Sequence, residues 1–193
     1  MLHFAKPENA LKRAEELCAV GQRDAALVGM YDVLSSKRHR TWQPAMELVM
    51  MRYLELCVEM RRAKAAKDGL IQYRMVCQQV NVGSMETVLR AFMDLADKAA
   101  SDAIAKAEAI TGQNLEDMLD FDDLEAEETP ESLMMATVGG FADSKKRTDR
   151  QVVTPSLKFL WETYRSILDV LRNNQKLDEL YRDTCLRAFG FCL

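Results

Sequence analysis

The chain has 193 residues, 48% hydrophobic and 29% charged, with a net charge of -4. That is enough apolar material for a real core in one elongated or two small domains; the acidic balance excludes a protein that coats nucleic acid with its whole surface, though not one with a local basic patch. Five cysteines, Cys18, Cys57, Cys77, Cys185 and Cys192, form no CxxC pair and have no histidines nearby, so neither a disulfide framework nor a zinc site is indicated.

Pro7 suits the first turn of a helix, and Ala10, Leu11, Ala14, Leu17 and Cys18 recur on one helical face up to Gly21. A second helix opens at Arg23 or Asp24, carries Ala26, Leu27, Met30, Val33 and Leu34, and closes at Ser35 and Ser36. Leu17, Gly21, Ala26, Met30 and Val33 follow the large and small order of a tetratricopeptide unit, in which small residues let two helices approach closely. A second pair follows. One helix runs from Pro44 through Leu48, Met51, Leu54, Leu56 and Val58. The next carries Ala63, Ala66, Leu70, Tyr73, Met75, Val76 and Val80, with Gly69 as its small packing residue. Met46, Met50, Met51, Met60 and Met75 lie within these patterns and are expected to fill the core.

Asn81, Gly83 and Ser84 mark a break, with Ser84 expected to start a fifth helix bearing Val88, Leu89, Phe92, Leu95 and Ala96. From Ala99 to Thr111 the alanine-rich, charged sequence predicts a helix with one narrow apolar edge, projecting from the body. Between Gln113 and Glu128 acidic residues accumulate without compensating Lys or Arg, which predicts a solvated linker; the interleaved Leu115, Met118, Leu119, Phe121 and Leu124 would let a basic groove order it. Lys145, Lys146, Arg147 and Arg150 form a basic cluster. Thr154 and Pro155 then supply an N-cap and first turn for a helix with Leu157, Leu160, Trp161, Tyr164, Ile167, Leu168 and Leu171, and a last helix uses Leu177, Leu180, Tyr181, Thr184, Ala188 and Phe189. The chain stops in mid-pattern at Phe191, Cys192 and Leu193, which predicts repeats that continue.

The expected fold is all-α, a right-handed superhelix of antiparallel, TPR-like helical hairpins. Its expected division is 1–112, helical-repeat hairpins with the extended alanine-rich helix; 113–153, an acidic then basic linker; and 154–193, a further hairpin. The first residues, Lys6, Pro7, Glu8, Lys12 and Arg13 among them, lack the apolar core of a signal peptide. No run approaches the roughly 18 apolar residues of a membrane span, so a cytosolic or nuclear protein is expected.

No glycine-rich phosphate loop or GxSxG elbow occurs, and with only His3 and His39 present a histidine-dependent nucleophile would have to rely on one of these as its base. Asp120, Asp122 and Asp123 lack the glycine and terminal glutamate of a calcium loop. No catalytic residue, cofactor or metal is expected. What remains is Lys37, Arg38, His39 and Arg40, which Arg61, Arg62, Lys64 and Lys67 could join as a patch for RNA phosphates or an acidic protein. The same cations could instead complement a helix dipole, with Trp42 packed between the hairpins as a hinge.

Several stretches resemble one family in order: Pro7-Glu8-Asn9-Ala10-Leu11-Lys12-Arg13-Ala14, Tyr31-Asp32-Val33-Leu34, His39-Arg40-Thr41-Trp42-Gln43, Tyr53-Leu54-Glu55-Leu56-Cys57-Val58 and Cys77-Gln78-Gln79-Val80-Asn81. The later stretches Thr129-Pro130-Glu131-Ser132, Arg147-Thr148-Asp149-Arg150, Lys158-Phe159-Leu160-Trp161-Glu162 and Leu171-Arg172-Asn173-Asn174 continue the match. The chain is similar to the N-terminal region of the largest subunit of eukaryotic translation initiation factor 3. The resemblance implies a PCI-associated helical repeat and a non-enzymatic, cytoplasmic scaffold arm. Such an arm docks the factor on the small ribosomal subunit near the mRNA exit side and supports pre-initiation complex assembly and mRNA recruitment. Implied partners are other subunits of the factor, chiefly the c subunit through a PCI domain beyond this stretch, small-subunit proteins and rRNA, and mRNA, with no membrane. Candidate contacts are Lys37, Arg38, Arg40, Arg61, Arg62, Lys145, Lys146 and Arg147. The competing reading is a TPR-like adaptor of another PCI-type complex, such as the proteasome lid, binding only proteins.

Overall fold

The computed structural model describes residues 7–36, 42–78, 80–119, 153–172 and 174–192, the side chains of 110–119 excepted. Seven α-helices lie among them. They are α1 (Pro7–Ala19), α2 (Arg23–Ser35), α3 (Pro44–Glu59), α4 (Ala63–Cys77), α5 (Val82–Leu119), α6 (Thr154–Leu171) and α7 (Asp178–Cys192), the last preceded by a short 3-10 turn, Gln175–Leu177.

The first two connections are built alike. After α1 the Gly21 N–H donates to Cys18 O at 3.0 Å and the Gln22 N–H to Leu17 O at 2.8 Å; after α3 the Arg61 N–H donates to Val58 O at 3.1 Å and the Arg62 N–H to Cys57 O at 2.8 Å. These pairs are a Schellman closure, which satisfies the last free carbonyls of a helix and needs a left-handed residue at its centre. Gly21 fills that place with φ 84°, and Arg61, forty residues on, with φ 53°. The same spacing relates core residues: Ala26 with Ala66, Met30 with Leu70 and Val33 with Tyr73, none of them more than 3% exposed.

Each helix touches the next and the next but one. α1 packs on α2 and α3, and α2 on α3 and α4. Glu47 of α3 meets Ser84 of α5, and Lys67 and Arg74 of α4 meet Asp169 and Val170 of α6. Arg187 of α7 meets Asp94 of α5, and Phe191 of α7 lies 6.4 Å from Trp161 of α6, ring to ring. This is the neighbour pattern of stacked helical pairs, so the expected helical-repeat fold holds.

The chain divides into two compact units, Met1–Asp97 with Phe159–Leu193, and Lys98–Lys158. The last helices therefore belong to the same unit as the first four, rather than to a third region. α5 also continues through Gln113–Leu119, where the linker was expected to begin; like charges weaken packing without forbidding a helix, and Leu115, Met118 and Leu119 keep helical spacing. The remainder of 113–153, with its acidic and basic runs, lies outside the described residues.

Ser84 does not cap α5. The helix starts two residues earlier, and the Asn81 side chain accepts from the Ser84 N–H at 3.1 Å, as an N-cap does for the third helical residue. Several residues of the apolar patterns face solvent instead of the core: Leu48, Met75, Val80, Trp161 and Phe189 are exposed, whereas Met46 and Met50 are fully buried. A 3.6-residue period marks a broad stripe, and only the neighbouring helices decide which part of it is covered.

Candidate functional site

Of the expected contact residues, Arg61 and Arg62 are described; Lys37, Arg38, Arg40, Lys145, Lys146 and Arg147 lie outside the described residues. Arg61 and Arg62 occupy the α3–α4 turn, both exposed. Arg62 Nη2 donates to Asp24 Oδ1 at 3.2 Å, and Arg23 Nε lies 3.9 Å from Glu59 Oε2, so two ion pairs tie this turn to the α1–α2 turn. Pairs this exposed contribute little to stability, but they take up the charge of Arg62 and Arg23. Lys67, considered for the same patch, is drawn away: its Nζ donates to Asp169 Oδ2 at 2.8 Å, and that hydrogen bond holds the carboxyl below its usual range. Lys64 stays exposed beside the turn.

Trp42 lies one residue beyond the basic run in sequence, after Thr41, and is half-buried. Its Nε1–H donates to Tyr73 Oη at 3.3 Å; Tyr73 and Ser84 share a hydrogen bond of 2.6 Å, and Ser84 Oγ donates to the Glu47 carboxylate. With Tyr73 donating to Ser84, the four groups form a directional chain from indole to carboxylate in which every donor has an acceptor. Burial pushes the Tyr73 hydroxyl above its ordinary pKa, so it stays a donor. Trp42 is thereby tied to α4, and through Ser84 to α3 and α5. Tyr73, Ser84 and Glu47 were missed by sequence reasoning. The only available signal was Asn81 three residues before Ser84, which as a cap frees the serine hydroxyl for another partner.

A second polar network joins α5, α6 and α7. Arg187 lies 2.9 Å from Asp94, 3.7 Å from Asp97 and 3.5 Å from Asp183; Arg90 bridges Glu86 and Asp183 at 3.0 and 3.6 Å; Tyr164 Oη donates to Asp97 at 2.6 Å. Both of its arginines are held by carboxylates of α5 and α7, so it serves as a tie between these helices, with the acidic groups in excess.

Burial pushes the Cys57 thiol up to about 12 and the Cys77 thiol up to about 11, which keeps both protonated and unreactive at neutral pH. Among the described residues no three His, Cys, Asp or Glu side chains gather as a metal site requires, and no helix is long and apolar enough to cross a membrane.

Paired helices stacked on neighbours, with charged inter-helix turns at the surface, define a tetratricopeptide-like repeat. Residues 8–193 match the family model described as eIF3a, PCI domain, TPR-like region. The chain is 55% identical over 192 residues to the eIF3a protein of Nicotiana tabacum, covering 100% of this chain and 19% of that protein. It is 48% identical over 191 residues to the eIF3a of Homo sapiens, covering 99% of this chain and 13% of that protein. The eIF3a of Nematostella vectensis is 47% identical over 192 residues, with 99% and 20% covered. The chain belongs to the eIF3a family of eukaryotic translation initiation factor 3. It spans a fifth or less of the length of these relatives.

Proposed function

We propose that the chain is a non-enzymatic scaffold arm of translation initiation factor 3 that docks the complex on the small ribosomal subunit near the mRNA exit side, in the cytoplasm. In this role it supports pre-initiation complex assembly and mRNA recruitment by shape and charge. The observation that carries the reading is membership of the eIF3a family in a helical stack that presents Arg61 and Arg62 on an exposed turn. The docking contacts are Lys37, Arg38, Arg40, Arg61, Arg62, Lys145, Lys146 and Arg147, reaching rRNA and small-subunit proteins. Trp42 is the hinge at which the basic run meets the stack, supported by its bond to Tyr73. The other subunits of the factor, chiefly the c subunit, are the protein partners, the latter through a PCI domain, and mRNA is a further contact. Family membership favours this reading over an adaptor that binds proteins only. Co-sedimentation with purified small ribosomal subunits tests it: a docking arm pellets with the subunits in low salt, and an adaptor stays in the supernatant.

A further inference from the structure

Arg61 holds a backbone conformation that a side chain disfavours, because at positive φ the Cβ crowds the following carbonyl oxygen. The equivalent turn of the first hairpin meets the same geometry with Gly21. The arginine side chain returns nothing to the fold: it is exposed, and among the described residues it makes no hydrogen bond or ion pair. The neighbouring cations are occupied, Arg62 by Asp24, Arg23 by Glu59 and Lys67 by Asp169. Arg61 is therefore an uncommitted guanidinium at the apex of the turn. Around it Gln22, Arg23, Asp24, Glu59, Arg62 and Lys64 are exposed and polar; the exposed apolar residues there are Ala19, Val20 and Ala25, of which only Val20, 74% exposed, is large, and none is aromatic. In a protein contact an arginine anchor sits among well-packed, desolvated neighbours, commonly aromatic ones, and this charged apex has no exposed aromatic residue to form such a surround. A nucleic-acid phosphate needs only a cation with donors in a fork.

We propose that Arg61 binds an RNA phosphate, and that its side chain is carried at a cost to the stability of the turn because it serves binding. This rests on the ribosome-docking reading. The test uses the 193-residue chain, with intact small ribosomal subunits and their deproteinised rRNA as probes, and the variants Arg61→Gly and Arg61→Lys. Arg61→Gly raises the urea midpoint yet binds both probes more weakly, and its slope of log affinity against log salt is shallower by about 0.7 to 0.9, the loss of one phosphate contact. Arg61→Lys keeps the wild-type slope. An unchanged slope for Arg61→Gly overturns the proposal. So does a loss seen on intact subunits but not on bare rRNA, which assigns the contact to a ribosomal protein. A lowered urea midpoint overturns it too, by giving Arg61 an internal role. If the unmodified chain binds neither probe at any salt, the docking reading itself fails.

Discussion

Gly69 stands in mid-helix, where glycine costs about 1 kcal/mol relative to alanine. The reason is Tyr53, 1% exposed, whose hydroxyl donates to Ala65 O at 2.8 Å and whose ring runs across the glycine. A Cβ on Gly69 would meet ring atoms Cδ1 at 3.1 Å and Cζ at 3.2 Å, with Cε1 nearer still. Tyr53 is pinned at both ends and cannot swing away, so Gly69→Ala is expected to lose about 1–3 kcal/mol in urea denaturation despite its better helix propensity. A gain in stability would contradict this packing. Alkaline pH gives a second outcome at this scale. The unfolded chain releases its cysteine protons near pH 9.0, whereas folded Cys57 and Cys77 keep theirs up to about 12 and about 11. Their contribution is therefore intact below pH 9.0 and is lost as pH rises toward those values, with Tyr53, Tyr73 and Tyr164, also raised by burial, adding above 10.0. The urea midpoint should fall between about pH 9 and pH 11, and Cys77→Ala should flatten that fall. The need for a small residue at Gly69 was legible from its place in the apolar pattern. The burial of Ser84 was not, because a serine after a break reads as a cap unless the Asn81 bond is seen.

At the scale of elements, the two Schellman turns set where the hairpins fold back. Gly21→Ala places a Cβ at φ 84° and is expected to cost about 1 kcal/mol, measured by thermal or urea unfolding. The α5–α7 contact is of another kind. Arg187 serves three carboxylates, but its side chain is 36% exposed, so Arg187→Ala should cost only about 0.5–1 kcal/mol, and less in high salt. The starts of α1 to α4 were legible because Pro7, Pro44 and the residues after each turn are helix-opening signals, and the apolar spacing carried each helix to its end. Exposure at Leu48, Met75 and Phe189 was not legible. It depends on which neighbour covers each face, and that is a property of the stack rather than of one helix.

For the whole molecule, the i and i+2 neighbours from α1 to α7 make a single stack of the unit Met1–Asp97 with Phe159–Leu193, although Lys98–Lys158 intervene in sequence. Period and spacing predicted the paired helices but not this rejoining, since no local signal says that α6 returns to α4; the Lys67–Asp169 and Arg74–Val170 bonds show it. The docking role was read from residue stretches matching a family, because surface cations alone do not distinguish a docking edge from a solvated one. The most direct measurement is the affinity of the chain for purified small ribosomal subunits across a salt series, for the wild type and for Arg38→Glu with Arg40→Glu. Docking through the basic run gives binding that weakens linearly in log salt, and a double variant with weaker binding and a shallower slope. Binding by the double variant equal to the wild type at every salt concentration would contradict that placement of the docking surface.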